Sequence, residues 1–282
     1  MSLYRCPENL EDAYALLSDD SWKILSGGTD FYPTLGQKHV NFNVLDVSRI
    51  SSMRAIKKDD EGNWHIGALA TWTDIIRHDL PPAFDSLKLS AREVGSVQIQ
   101  NRATVVGNIC NASPAADGVP PLLTLDAMVK IGSLNGEREL SLQDFILGNR
   151  KINLQPNELV VGLKIPAPSA KGQSTFLKLG ARKYLVISIS MVAAKIVTDA
   201  SGVIEDAAVS VGSCSLVATR LPDLEKVLIG RNIKDQLQNC IADEYLSVLS
   251  PIDDVRATKA YRMDASKELV ARALHMAVEE YC

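Results

Sequence analysis

Two glycine-bearing stretches hold the residues whose types and spacing could do chemistry: Ser26-Gly27-Gly28-Thr29-Asp30, and Thr104-Val105-Val106-Gly107-Asn108 leading to Asp117. Glycine leaves backbone N–H groups uncovered, and successive N–H groups in a tight bend form a concave nest that suits an anion. A helix starting after such a bend adds to the favourable field. No lysine or arginine lies between Ser26 and Gly36. If this bend holds a phosphate, main-chain amides must do so, assisted by the hydroxyls of Ser26 and Thr29. In the second stretch Thr104 and Asn108 place short polar groups beside Gly107, and Asp117 offers a carboxylate that can accept hydrogen bonds from sugar hydroxyls. A plain strand-to-helix turn accounts for the first stretch taken alone. Asn108, Asn111 and Asp117 could each satisfy a turn backbone. The spacing is not the GxGxxG of a dinucleotide-binding unit. Two such stretches in one chain nevertheless point to two walls of a site for a phosphate-bearing cofactor.

The elements that must position these walls follow from hydrophobic periodicity. Leu10, Ala13, Tyr14 and Leu17 predict a helix over 7–18. Lys23–Leu25 reads as a strand ending at the first bend, Phe31–Leu35 as a short helix or turn, and Val44–Val47 as a second strand, giving a small βαβ-like unit. Trp64–Ala68 reads as a strand. Thr71 opens a helix, with Asp74 completing a variant capping box. A further helix is expected over Phe84–Val94. From Gly95 to Ala116 the Asn, Gly, Ser and Thr content predicts loops and short strands. Leu122–Met128 is a buried segment running into a strand, and Asn135-Gly136 marks a hairpin between Val129–Leu134 and Glu137–Leu142. Leu159–Ile165 is another strand. Beyond a Pro- and Gly-bearing link at Ala167–Ser174 come strands at Thr175–Leu179, Ser188–Thr198 and Ala207–Val211, then helices over 222–229, about 234–248 and 258–280.

Composition bounds the function classes. The 282 residues are 46% hydrophobic and 23% charged, with a net charge of −4, so a sizeable core is expected. No basic block exists, which argues against nucleic acid as a partner. No leader-like run and no stretch of 18 apolar residues occurs, and a cytoplasmic protein without a membrane span is expected. The five cysteines (Cys6, Cys110, Cys214, Cys240, Cys282) include no CxxC, and the four histidines no HxxxH. No metal site and no internal iron–sulfur cluster are expected.

With these motifs in order, the chain resembles the FAD-binding medium subunit of the molybdenum hydroxylases, the xanthine dehydrogenase and carbon monoxide dehydrogenase type. The resemblance rests on Tyr4-Arg5-Cys6-Pro7, Ser26–Asp30, Gly95-Ser96-Val97-Gln98-Ile99-Gln100-Asn101, Thr104 through Asp117, Glu158-Leu159-Val160-Val161, Phe176-Leu177-Lys178 and Arg256 through Arg262. It covers almost the whole chain. It implies an α+β fold: a two-part FAD-binding domain over 1–170 (1–55, the βαβ-like piece, and 56–170, an antiparallel-sheet subdomain), then a C-terminal three-stranded antiparallel sheet with helices over 171–282. It further implies that Ser26–Asp30 and Thr104–Asn108 clamp the FAD diphosphate. Asp117 would hold a cofactor hydroxyl, and Gly95, Val161 and Lys178 would lie along the flavin. Arg182-Lys183-Tyr184 would approach the flavin, or Tyr184 is simply a strand residue. The family pattern in the second stretch is T-x-G-G-N, and Val106 replaces its first glycine. A turn needing positive φ there would weaken FAD binding, and otherwise Val106 packs beneath the loop.

The role the resemblance implies is electron relay. A large subunit carries molybdopterin, a small one carries [2Fe–2S] clusters, and FAD on this chain passes electrons to NAD+ or another acceptor. No acid–base residue of the protein is required, because the flavin supplies the chemistry. Two other readings stand beside it, a cofactor-free scaffold subunit and a stand-alone flavin reductase or oxidase.

Overall fold

The computed structural model describes residues 2–37 and 39–279. Its first sheet has three parallel strands, with Asn43–Asp46 between Tyr4–Arg5 and Trp22–Leu25. The helix Leu10–Asp19 carries the chain from one outer strand, Tyr4–Arg5, to the other, Trp22–Leu25, begun by the Asn9 side chain, which accepts from the Asp12 N–H at 2.9 Å. The helix buries Ala13 and Leu17.

The second sheet is antiparallel, ordered Ile56–Lys58, Trp64–Gly67, Leu159–Ile165, Met128–Ser133, Gly136–Ser141. The hairpin between the last two strands forms as expected, but its turn is Leu134-Asn135: Ser133 pairs with Gly136, which opens the second strand at φ +119° instead of sitting in the turn. The third sheet carries Gln173–Leu179, Ser190–Thr198 and Ile204–Gly212, as expected, plus a two-residue fourth strand, Thr219–Arg220. The long helix Lys259–Glu279 packs on it, burying Val270, Ala273, Leu274 and Ala277. A hairpin of Ile146–Gly148 and Lys151–Ile152 stands apart.

Apolar burial gathers into two main cores. One draws on residues from Ala13 to Ile165 with Ala218, the other on residues from Val192 to Val278. Burial of this kind is the main favourable term in folding. Among the described residues no helix is long and apolar enough to cross a membrane.

Two expectations are corrected. Gly95–Ala116 is not loops and short strands: it holds the helices Val97–Gln100 and Val105–Asn111. Burial of Val105, Val106 and Ile109 overrides the weak helix propensity of the branched residues. Residues 234–248 are not one helix but two single 3-10 turns, Leu237–Cys240 and Asp243–Leu246. Leu237, Ile241, Leu246 and Leu249 are all buried in the second core, a spacing that no single helix face would bring together.

Candidate functional site

The first wall begins where the strand Trp22–Leu25 stops. Gly28 has φ +77°, a conformation that L-residues with a Cβ rarely adopt. The chain then closes into the helix Phe31–Leu35, with the Tyr32 N–H bonded to Gly28 O at 3.2 Å. Gly27 is needed for a different reason. A Cβ there would lie 2.1 Å from the carbonyl oxygen of Arg102, so the first bend is pressed against the chain that leads into the second.

The second wall is held by strand-like pairing and a helix start. Trp72 N–H bonds to Ala103 O at 3.2 Å, and Val105 N–H bonds to Ala70 O at 3.1 Å. The helix Trp72–Arg77 carries the capping box read from the sequence: Thr71 Oγ1 accepts from Asp74 N–H, and Asp74 Oδ2 accepts from Thr71 N–H at 2.8 Å. The helix Val105–Asn111 starts beside it, and Thr104 Oγ1 accepts from the Gly107 N–H at 2.9 Å. A Cβ on Gly107 would sit 2.7 Å from Thr104 Oγ1 and 3.5 Å from Ser26 Oγ. The bare glycine therefore leaves open a space bordered by hydroxyls from both walls. Val106 lies in the first helical turn and outside the left-handed region. The valine imposes no backbone strain, and its side chain is almost wholly buried.

Between the walls lies a cavity of about 520 Å³. Ser26, Gly27, Gly28, Thr29 and Asp30 line it from one side, Thr104, Val106, Gly107 and Asn108 from the other. Much of the remaining lining is apolar, including Val94, Ile99, Ile152, Leu154, Leu159 and Val160. Among the described residues, Asp30 is the only charged one on the wall. Two polar atoms of wall residues are buried and unpaired, Asn108 Oδ1 and the indole N–H of Trp72, and such groups normally have partners. Cys110 also lines the cavity, and burial pushes its thiol up to about 12, so it stays an un-ionised thiol at neutral pH. Amides and hydroxyls beside an apolar lining suit a ligand that joins a phosphate to a large flat ring.

Five expected residues are not on this wall. Val105 is fully buried behind it. Gly95 is exposed with φ +54°. Val161 follows the wall residue Val160 in the strand Leu159–Ile165 and accepts from Ala68 N–H. Asp117 and Lys178 are paired with each other at 2.7 Å, with side chains 10% and 6% exposed. Ser188 Oγ donates to the other Asp117 oxygen at 2.6 Å. Burial pushes the Asp117 carboxyl up, against the pull of Lys178 and Ser188. Tyr184 is exposed.

Sequence reasoning missed Trp72, although it read the capping box that fixes it, and the apolar wall residues Ile152 and Leu154, which have no motif. It also missed Arg150, whose Nη1 donates to Asp30 Oδ2 at 3.1 Å and to Asn111 Oδ1. Arg150 is 120 residues from Asp30 in sequence, and no local signal connects them.

Comparison with known proteins gives the family and the fold. Residues 1–168 match the family described as FAD binding domain in molybdopterin dehydrogenase. Residues 175–277 match the CO dehydrogenase flavoprotein C-terminal domain. The chain is 33% identical to the nicotinate dehydrogenase FAD-subunit of Eubacterium barkeri, over 79% of this chain and 78% of that one. It is 27% identical to the xanthine dehydrogenase FAD-binding subunit of Escherichia coli O157:H7, over 98% and 95%. In fold it is similar to a chain of carbon monoxide dehydrogenase from Hydrogenophaga pseudoflava, with a TM-score of 0.88, 24% identity, and coverage of 99% and 97%.

Proposed function

The chain belongs to the family of FAD-binding domains in molybdopterin dehydrogenases, and from that premise we propose that it is the flavin-carrying relay of a multi-subunit oxidoreductase acting in the cytoplasm. Its partners in this reading are a molybdopterin-bearing large subunit and a [2Fe–2S] small subunit, with NAD+ or another small oxidant as acceptor. Residues 1–170 form the FAD-binding unit, with subdomains 1–55 and 56–170, and residues 171–282 form the second unit.

The observation that carries the reading is the meeting of the two glycine bends at Gly27 and Arg102, with a cavity between their walls. Bound FAD supplies a ring able to exchange one or two electrons. The protein's part is to bind and orient it. The two stretches Ser26–Asp30 and Thr104–Asn108 would clamp the diphosphate, flanked by the Ser26 and Thr104 hydroxyls. The Val105, Gly107 and Asn108 N–H groups already have partners, so the second stretch would contribute mainly the Thr104 hydroxyl and the space that bare Gly107 leaves. Asn108 Oδ1 and the Trp72 indole N–H are buried without partners, on residues of the same wall. The apolar wall around Ile99 and Leu159 would keep water from the ring. Asp117 and Lys178 act as one paired unit near the second bend.

Acid release of ligand from the purified chain tests the reading. About one flavin per chain is expected, and co-purifying chains should carry iron–sulfur and molybdopterin chromophores. A colourless protein that took up no FAD from excess would overturn it.

A further inference from the structure

We propose that Arg150 is a positioning residue of the cofactor site, a clasp that neutralises Asp30 and ties the two glycine walls together across the cavity. The inference rests on the FAD reading above and goes beyond it.

Among the described residues, Asp30 presents the only carboxylate on a wall that must accept a diphosphate. Left unpaired it would repel that ligand. Arg150 Nη1 donates both to Asp30 Oδ2, at 3.1 Å, and to Asn111 Oδ1. Asp30 closes the first bend, and Asn111 ends the helix that begins at the second. One guanidinium thus bridges both walls, and both of its partners line the cavity.

The backbone shows that this placement is imposed. Arg150 has φ +57° and Ala112, the C-terminal cap of that helix, has φ +47°. Strain of this kind is retained only where the surroundings over-determine it. The Arg150 N–H bonds to Ala112 O at 2.8 Å, locking the turn between Ile146–Gly148 and Lys151–Ile152 onto the helix end. The following Ile152 and Leu154 then form part of the cavity lining.

Stability does not explain the pair. The Arg150 and Asp30 side chains are 54% and 53% exposed, and exposed ion pairs contribute little to folding. A charge-balancing role at a phosphate site does explain it, since guanidinium groups pair well with carboxylate and phosphate alike.

The test is FAD and riboflavin affinity of the chain, by flavin fluorescence titration, for wild type, Arg150→Met, Arg150→Lys, Asp30→Asn and the Asp30→Asn/Arg150→Met double variant. Arg150→Met should weaken FAD binding by about tenfold or more and leave riboflavin, which has no phosphate, unchanged. The double variant should return to within about threefold of wild type, since removing both partners removes the mismatch. Arg150→Lys should hold most of the affinity. Asp30→Asn alone, an exposed change that leaves the fold intact, should tighten FAD binding a few fold. Unchanged FAD affinity in Arg150→Met, an equal loss for riboflavin, no recovery in the double variant, or unchanged or weaker binding by Asp30→Asn would each overturn the proposal. If Arg150→Met does not fold, the Asp30→Asn and Arg150→Lys results decide alone. A wild-type chain that bound no FAD would instead overturn the flavin reading beneath it.

Discussion

The ammonium of Lys178 lies 2.7 Å from the Asp117 carboxylate, and both side chains are nearly removed from solvent. The pair crosses from the segment leading out of the second glycine stretch to the strand Gln173–Leu179 of the C-terminal sheet. Lys178 also donates to Glu93 O at 3.4 Å, and Ser90 Oγ donates to Asp117 O at 3.0 Å.

Removing one partner strands a buried charge. Lys178→Met should cost about 3 kcal/mol of stability in chemical denaturation, and the Asp117→Asn/Lys178→Met double variant should cost less than that single change. A double variant less stable than Lys178→Met would show that the two residues act independently.

Gly27 is where the bends touch. Gly27→Ala places a methyl against the Arg102 carbonyl, which must shift the backbone of both walls at a cost of about 1–3 kcal/mol. FAD affinity should fall by at least about tenfold, because a small displacement of amide donors forfeits their aim. Equilibrium dialysis of the folded variant against FAD reads this out.

Val106 tests whether the departure from T-x-G-G-N weakens the site. The residue is helical and buried, so Val106→Gly should lose about 2 kcal/mol through lost apolar burial and lower helix propensity. It should change the FAD dissociation constant by no more than about threefold. A large tightening would mean that the valine crowds the ligand.

Arg138 holds Glu158 through two hydrogen bonds of 2.7 Å and also reaches Asn153 O. This fixes the turn entering the strand that carries Leu159 and Val160. The Arg138 guanidinium holds the Glu158 carboxyl below its usual range. A depressed carboxylate stabilises the fold above its unfolded-state pKa and loses that contribution as pH falls through its folded-state value. Wild type should therefore exceed Glu158→Gln by roughly 1 kcal/mol at neutral pH, and the gap should close below the ordinary glutamate range. A gap that persisted in acid would point to packing instead of charge.

Much of this was legible in the sequence where local physics decides. The strand before Ser26 and the Thr71–Asp74 capping box depend on neighbours in sequence and stand where the pattern places them, and the hairpin near Asn135-Gly136 forms with its turn one residue earlier. The helix Val105–Asn111 was not legible, because its buried face comes from tertiary packing of residues with weak helix preference. The Arg150 clasp and the Asp117–Lys178 pair join residues 120 and 61 apart, a distance at which spacing carries no information. The cavity was legible only as two polar stretches, since its apolar lining comes from several strands and helices with no shared motif.

The most direct measurement is a crystal structure of the chain with FAD bound. The diphosphate should lie between Ser26–Asp30 and Thr104–Asn108, accepting hydrogen bonds from main-chain N–H groups of the first bend and facing Gly107 and the Thr104 hydroxyl of the second. A diphosphate seated elsewhere, or held by lysine and arginine side chains with both bends unengaged, would contradict the account.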